Sequence, residues 1–276
     1  MKIVTFRGTD GQIRGGVLEG NRVYPLPETG GDDTLAAIRR GVIQAAPEGQ
    51  SIPSEGFTLL APLLHPPRIF GIGLNYQEHA AESKMTVQSV PTVFLKLASS
   101  ITGPDTDILL PPEAREPDYE AELAVVIGKP GHRIMPERWQ EHVFGYTILN
   151  DVSARSVQLA TTQWTLGKSF PTFTPLGPWI VTSDEVPDPH SLDIRLVLSG
   201  EVLQSANTRD LIFRIPDLIA YISAIVPLEP GDIISTGTPP GVGLGRTPQR
   251  WLRPGEEMEI EIQGIGKLRN RTRAIA

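Results

Sequence analysis

The apolar positions of this chain fall into many short runs. Most recur with a period of two and are broken by glycine or proline. That pattern predicts strands. Lys2–Phe6 alternates and ends in a turn at Asp10-Gly11, and Gly15–Glu19 and Arg22–Pro25 flank a hairpin turn at Gly20-Asn21. Asp33–Gly41 has an acidic start, an apolar stripe and a closing glycine, which reads as a short helix. Ala46–Gly56 is polar and turn-rich. The prolines of Ala61-Pro62 and His65-Pro66-Pro67 mark a boundary. Residues 1–65 are therefore expected to form a small N-terminal β module, and residues 66–276 one large β-rich domain.

Within that domain, strands are predicted at Arg68–Leu74, Thr92–Leu97, Asp107–Leu110, Tyr119–Ile127, Val143–Leu149, Trp179–Thr182, Asp193–Leu198, Glu201–Gln204, Asp232–Thr236 and Glu257–Ile262. Helical segments are predicted at Tyr76–Ser83, at Ser153–Thr162 with Ser153 as N-cap, and at Pro216–Ile225 with proline in its first turn. The expected class is mixed α+β and β-rich, without an internal repeat of fixed period.

Composition sharpens this picture. The 276 residues include 27 glycines and 26 prolines, which supports many tight turns. A net charge of −7 argues against a nucleic-acid binder, which needs a basic footprint. The absence of cysteine excludes disulfides, thiolate zinc sites and a cysteine nucleophile. The five histidines show no H-x-H or H-E-x-x-H spacing. Leu218–Val226, the longest apolar stretch, is too short to span a bilayer, and Met1–Arg7 reads as a strand rather than a signal peptide. A cytoplasmic protein with no membrane partner is the expectation.

Candidate chemistry begins at Asp118–Gly128. On a strand, Ala121, Leu123, Val125 and Ile127 share one face, and Glu120, Glu122, Ala124 and Val126 share the other. Both faces are apolar except for two carboxylates ~7 Å apart along the strand. Like charges in a partly buried place repel, and desolvation adds to the cost. A hard, oxygen-preferring ion such as Mg²⁺, Mn²⁺ or Ca²⁺ would resolve this. The plain alternative is a solvated strand end with two ordinary acids. Asp151, where the Gly145–Asn150 run ends, is a candidate third ligand; capping a turn is its plain alternative. Arg155 and Gln158 lie three apart on the helix predicted to follow. His79 and Glu82 form an i, i+3 pair if Asn75–Glu82 is helical, an arrangement that fixes a histidine tautomer and leaves a base. A surface contact would look the same in sequence.

Lys168 and Lys96 each sit among apolar residues and are candidate cations for an anionic substrate, or else lysines that snorkel to the surface. Gly167-Lys168-Ser169 is not a phosphate loop, because Thr162 stands where the first glycine would be. Gly231–Gly243 offers backbone N–H groups and threonine hydroxyls that could meet a carboxylate, or forms only a rigid turn.

Together the segments Gly71-Ile-Gly-Leu-Asn75-Tyr76-x-x-His79-x-x-Glu82, Asp118-Tyr-Glu120-x-Glu122, Asn150-Asp151-Val-Ser-Ala-Arg155-x-x-Gln158, Gln163-Trp-Thr-x-Gly-Lys168 and Thr236-Gly-Thr238-Pro-x-Gly-Val-Gly243 resemble the fumarylacetoacetate hydrolase (FAH) superfamily. The wording is most similar to its FAH-domain-containing branch of acylpyruvases and 2-hydroxyhepta-2,4-diene-1,7-dioate isomerases. The founding hydrolase has an additional aspartate ligand seven residues before its histidine. Ile72 stands there in this chain, so three carboxylates are implied.

The resemblance implies an FAH-type β-roll, usually a homodimer. It implies Glu120, Glu122 and Asp151 as ligands for Mg²⁺, His79 with Glu82 as general base, and Lys168 as the stabiliser of an enolate. Arg155, Gln158 and Thr238, with Lys96, are implied near the substrate, and Ala80–Pro91 as a lid over a bound 2-oxo acid. It also implies hydrolysis of a C–C bond in an acylpyruvate-type substrate by a water activated by His79 and Glu82. Oxaloacetate or hydroxymuconate-type tautomerisation or isomerisation, and oxaloacetate decarboxylation, are alternatives at the same site. A non-catalytic, metal-stabilised scaffold is the rival from another class.

Overall fold

The computed structural model describes residues 1–26, 34–41, 43, 50–83 and 85–275. Its centre is the strand Ala121–Ile127, buried along its whole length. The alternation read from the sequence sorts that strand between two cores. Ala121, Leu123, Val125 and Ile127 pack in one cluster with Ile194, Leu196, Ile260 and Ile262. Ala124 and Val126 pack in another with Ile3, Val17, Leu35 and Ile38. A strand of this kind cannot shift by one residue without exchanging the two sets, so its register is strongly specified.

Ala121–Ile127 lies antiparallel to Val143–Asn150, with Ala121 opposite Asn150, and antiparallel to Ile233–Ser235, with Ala124 opposite Ser235. From there the large sheet runs outward through Ile69–Gly73 to Thr92–Lys96 at one end. In the other direction it runs through Thr174–Thr182 and Lys2–Gly8 to the N-terminal hairpin Ile13–Glu19 and Arg22–Pro25. The N-terminal strands thus extend the main sheet, with Lys2 opposite Val181. A separate five-stranded sheet runs in the order Glu201–Asn207, Asp193–Leu198, Glu257–Ile262, Gly266–Ala274, Asp107–Leu110. Its inner residues supply the other wall of the larger core.

Several predicted elements are observed closely. Gly20, at φ 57°, turns the predicted hairpin, and Asp107–Leu110 and Glu257–Ile262 have the predicted bounds. The first helix is Thr34–Arg40, whereas its predicted start at Asp33 and the stretch 46–49 of the turn-rich segment lie outside the described residues. The helix predicted over Ser153–Thr162 is corrected: Ser153–Ala154 pairs with Pro117–Asp118, and only Arg155–Gln158 is helical. Ser153 does not cap it, because its Oγ donates 2.9 Å to the Asp151 carbonyl instead. The strand Gly266–Ala274 escaped the hydrophobic pattern because two of its inward residues, Asn270 and Thr272, are polar. Asn270 compensates by donating to the carbonyls of Gly103 and Thr106.

Leu123 is fully buried at the junction of the core strands. Leu123→Ala should cost about 2–5 kcal/mol of unfolding free energy. Denaturant titration would check this, and a loss below about 1 kcal/mol would show that the strand is not the packing centre described.

Candidate active site

The site is assembled by the antiparallel pair at the centre of the sheet. Glu120 and Glu122 point from the start of one strand, and Asp151 follows directly on its neighbour. The Asp151 N–H donates 2.9 Å to the Glu120 carbonyl, so register alone brings the third carboxylate to the first two. Oxygens of Glu120, Glu122 and Asp151 lie within 4.8 Å of one another, and all three residues are buried.

Three cations are buried with them. Lys168 Nζ bridges Glu120 Oε2 at 2.6 Å and Asp151 Oδ2 at 2.7 Å. Arg155 donates to Glu120 Oε1 at 2.6 Å, to Asp118 Oδ2 at 2.9 Å and to Gln158 Oε1 at 2.9 Å. Lys96 Nζ donates 2.6 Å to Asp151 Oδ1 and also bonds the carbonyls of Lys168 and Phe173. Asp118 is the fourth acid of the group. Among the described residues, four carboxylates face three cations, so one acid lacks a cationic partner.

That acid is Glu122, whose Oε2 accepts from Ser235 Oγ at 2.6 Å and Gly237 N–H at 2.9 Å and which, among the described residues, forms no ion pair. Burial, then the charges of Asp151 and Glu120, push its carboxyl up to about 8. Burial pushes Glu120 in the same direction, but Lys168 and Arg155 outweigh it and hold that carboxyl far below the usual range. Burial alone would lower Lys168, yet Asp151 and Glu120 raise it, so it stays an ammonium ion. An all-oxygen donor set with surplus negative charge fits a hard divalent cation held by Glu120, Glu122 and Asp151.

The expected dyad is present. His79 and Glu82 lie on the helix Gln77–Glu82, with His79 Nδ1 3.0 Å from Glu82 Oε1. Glu82 is anchored in turn by the Gly241 N–H, 3.0 and 2.9 Å from its two oxygens. Gly241 adopts φ +106°, and a Cβ there would sit 2.0 Å from the Leu203 carbonyl oxygen. Only glycine fits both demands. The Gly231–Gly243 stretch does meet carboxylates, but they are the protein's own. Gly237 serves Glu122, Gly241 serves Glu82, and Gly243 with Leu244 serves Asp118.

A cavity of about 20 Å³, room for roughly one water, lies between the dyad and the carboxylates. His79, Lys168, Arg155, Gln158 and Thr238 line it together with the three carboxylates. Thr238 donates to the Ala121 carbonyl and accepts from Gln204. Lys96 does not line the cavity; its donors are committed behind it, to Asp151 and two carbonyls. From the predicted lid Ala80–Pro91, Ser83 and Met85 reach the cavity, while residue 84 lies outside the described residues.

Sequence reasoning assigned no role to Asp118, Phe94, Trp164, Ser235 or Ser83. Asp118 stood inside the Asp-Tyr-Glu-x-Glu segment and could have been asked what neutralises Arg155. Phe94 underlies Lys168, 5.1 Å from Nζ to the ring centre, and Trp164 meets Phe94 edge-on. A larger hollow of about 460 Å³ lies on the five-stranded sheet, away from this cluster; the acids and arginines that line it, Asp105, Glu257, Glu259, Arg269 and Arg271, are exposed or half-buried, and no histidine is among them.

A model of the family described as "Fumarylacetoacetate (FAA) hydrolase C-terminal" matches residues 68–273. The chain is 43% identical over 272 residues to the mitochondrial oxaloacetate tautomerase Fahd2a of Rattus norvegicus, covering 96% of this chain and 86% of that protein. It is 42% identical over 289 residues to the human mitochondrial oxaloacetate tautomerase FAHD2A, covering 98% and 91%. Among solved structures, 5-carboxymethyl-2-hydroxymuconate delta-isomerase from Mycobacterium smegmatis is similar with TM-score 0.83 and 34% identity, over the whole of both chains. Maleylpyruvate hydrolase from Sphingobium sp. SYK-6, in complex with manganese(II) and pyruvate, matches with TM-score 0.83 and 35% identity, again over both whole chains. The expected β-rich fold of this type is therefore the observed one.

The uncompensated Glu122 gives a test of the metal assignment. Its carboxyl ionises near ~4.3 when unfolded and at about 8 when folded, so between those values the folded state holds the extra proton. Metal-free protein should lose stability as pH rises through that window and level off above it. A divalent ion displaces this proton, so Mg²⁺ should raise the melting temperature more at about pH 9 than at about pH 6. Glu122→Gln should remove both effects. A melting temperature indifferent to pH and to Mg²⁺ would sink the assignment.

Proposed function

The chain belongs to the fumarylacetoacetate hydrolase family of enzymes, and from that premise we propose that it is a divalent-metal-dependent keto–enol tautomerase of small 2-oxo dicarboxylates of the oxaloacetate type. The single observation that carries this reading is the buried His79, paired with a half-buried Glu82 and lining a water-sized cavity together with three carboxylates and a charged lysine. The names of the tautomerase relatives support the substrate class. Magnesium is the proposed ion.

A bound divalent ion would supply Lewis-acid polarisation of the substrate's oxygens. The remaining chemistry is assigned to the chain's own groups. Glu82 takes the Nδ1 proton of His79 as its hydrogen-bond partner, which leaves Nε2 as the base. Gly241 holds Glu82, and therefore the imidazole plane, in place. His79 then moves a proton between the C3 carbon and the enol oxygen. The Lys168 ammonium stands where negative charge develops on that oxygen. Thr238, Gln158 and Arg155 form the walls that orient the substrate, and Lys96 holds Asp151.

Hydrolysis of an acylpyruvate, the leading expectation from sequence, is the second reading, supported by the similarity to the maleylpyruvate hydrolase. It requires a water placed by the same dyad.

We further propose a homodimer. The sheet ends at Thr92–Lys96, which exposes Val93 and Leu95, with exposed Leu97 beyond, while Phe94 and Lys96 turn inward. A second copy is the occupant such an apolar end strand calls for.

Two measurements test these proposals. Proton NMR in D₂O should show that the enzyme with Mg²⁺ speeds oxaloacetate keto–enol exchange, and His79→Ala should lower kcat by about 10²–10⁴-fold. Acetate and pyruvate appearing from acetylpyruvate, with no effect on oxaloacetate exchange, would favour hydrolysis instead. Light scattering should report twice the chain mass, and Leu95→Lys should shift it towards the monomer. An unchanged dimer in that variant would place the interface elsewhere.

A further inference from the structure

Ser83 follows the helix Gln77–Glu82 and closes it, with its backbone N–H donating 3.1 Å to the His79 carbonyl. Its side chain behaves differently. Ser83 Oγ is shut off from solvent and has no hydrogen-bond partner, and among the described residues it is the one buried side-chain polar atom in that condition. A serine near a helix end ordinarily bonds back to a carbonyl three or four residues earlier. Ser100 does so to Leu97 and Ser223 to Ala220. Ser83 instead lines the cavity, along with His79, Met85, Gln158 and Leu244. A buried hydroxyl left unpaired is disfavoured, and in a native protein it marks a group waiting for a partner.

The rest of that wall indicates the partner. Gln158 accepts from Arg155 through Oε1, which fixes the amide's orientation and leaves its Nε2 as a donor. Arg155 is already committed to Asp118 and Glu120, and Lys168 to Glu120 and Asp151. The cations thus serve the carboxylate end of the site, while Ser83 and Gln158 present neutral donors beside the apolar side chains of Met85 and Leu244. Two neutral donors lining one cavity suit the oxygens of a carboxylate remote from the reacting carbonyl.

We infer that Ser83 is a substrate-positioning and specificity residue whose hydroxyl donates to the distal carboxylate of a four-carbon 2-oxo dicarboxylate. The inference rests on the proposed substrate class and adds the atom that selects it. Because Ser83 follows the helix that carries His79, the same contact fixes the distal end of the substrate relative to the base.

The test reads binding, which needs no turnover. Calorimetry on Mg²⁺-loaded enzyme with fresh oxaloacetate and with pyruvate, which lacks the distal carboxylate, gives the discrimination. Wild type should prefer oxaloacetate. Ser83→Ala should weaken oxaloacetate binding by about tenfold, the scale of one hydrogen bond to a charged group, and leave pyruvate unchanged. Ser83→Thr should restore most of the preference. Ser83→Cys, of similar volume and weaker as a donor, should fall between and serves if the alanine variant folds poorly. Equal losses for both ligands, or undiminished preference in Ser83→Ala and Ser83→Cys, would overturn the inference. So would a wild type that binds the two ligands alike. Discrimination that depends on Ser83 without any exchange activity would retire the tautomerase reading and leave Ser83 standing. Exchange activity with discrimination independent of Ser83 would do the reverse.

Discussion

Burying several charges together is tolerable only when their signs nearly cancel and every hydrogen-bonding position is used. The centre of this protein is built around that constraint. Asp118, Glu120, Glu122 and Asp151 are buried together with Lys96, Lys168 and Arg155. Each cation touches at least one acid, and Lys168 and Arg155 each touch two. The strand Ala121–Ile127 must stay in register for these contacts to exist, and the two cores on its faces hold that register. Packing and charge placement are therefore one requirement seen from two sides. Glu122, the acid without a cationic partner among the described residues, is the part of the balance that the fold alone does not close.

Much of this was legible in the sequence because it is local. The alternation around Glu120 and Glu122 gave both the two-sided burial and the shared face of the acids. The spacing of His79 and Glu82 gave their contact. Asp151 was legible as a strand end that carries a carboxylate. What could not be read was long-range. No local pattern says that Lys96, on the sheet's last strand, reaches behind Asp151 rather than toward the cavity. Nor does any pattern say which carboxylates the Gly237–Leu244 loop will serve, since backbone N–H groups leave no trace in residue type. The helix expected from Ser153 failed for a related reason. The pairing of Ser153 with Asp118 won over local capping propensity, because it also carries Arg155 to its two acids.

The site separates tasks by charge. Full charges gather where a carboxylate-rich centre must be balanced, and neutral donors and apolar side chains complete the lining. An acid–base group on a short helix joins the two. On the proposed function, the charged half would prepare an enolate and the neutral half would decide what is attached to it, a division that suits similarity to a tautomerase, an isomerase and a hydrolase alike.

The loop from Gly237 to Leu244 holds Glu122, Glu82 and Asp118, which come from three separate stretches of chain. It acts as a common jig: one segment sets the relative positions of a carboxylate of the triad, the partner of His79, and the anchor of Arg155. Ser83 and Met85, beyond the His79 helix, are bonded to the carbonyls of His79 and Ala80 rather than to this loop. With Ser83 in the role inferred for it, inheritance of the reaction and inheritance of the substrate would be uncoupled, so a lineage could change the residue at position 83 and acquire a new acid to work on without rebuilding the machinery that works on it.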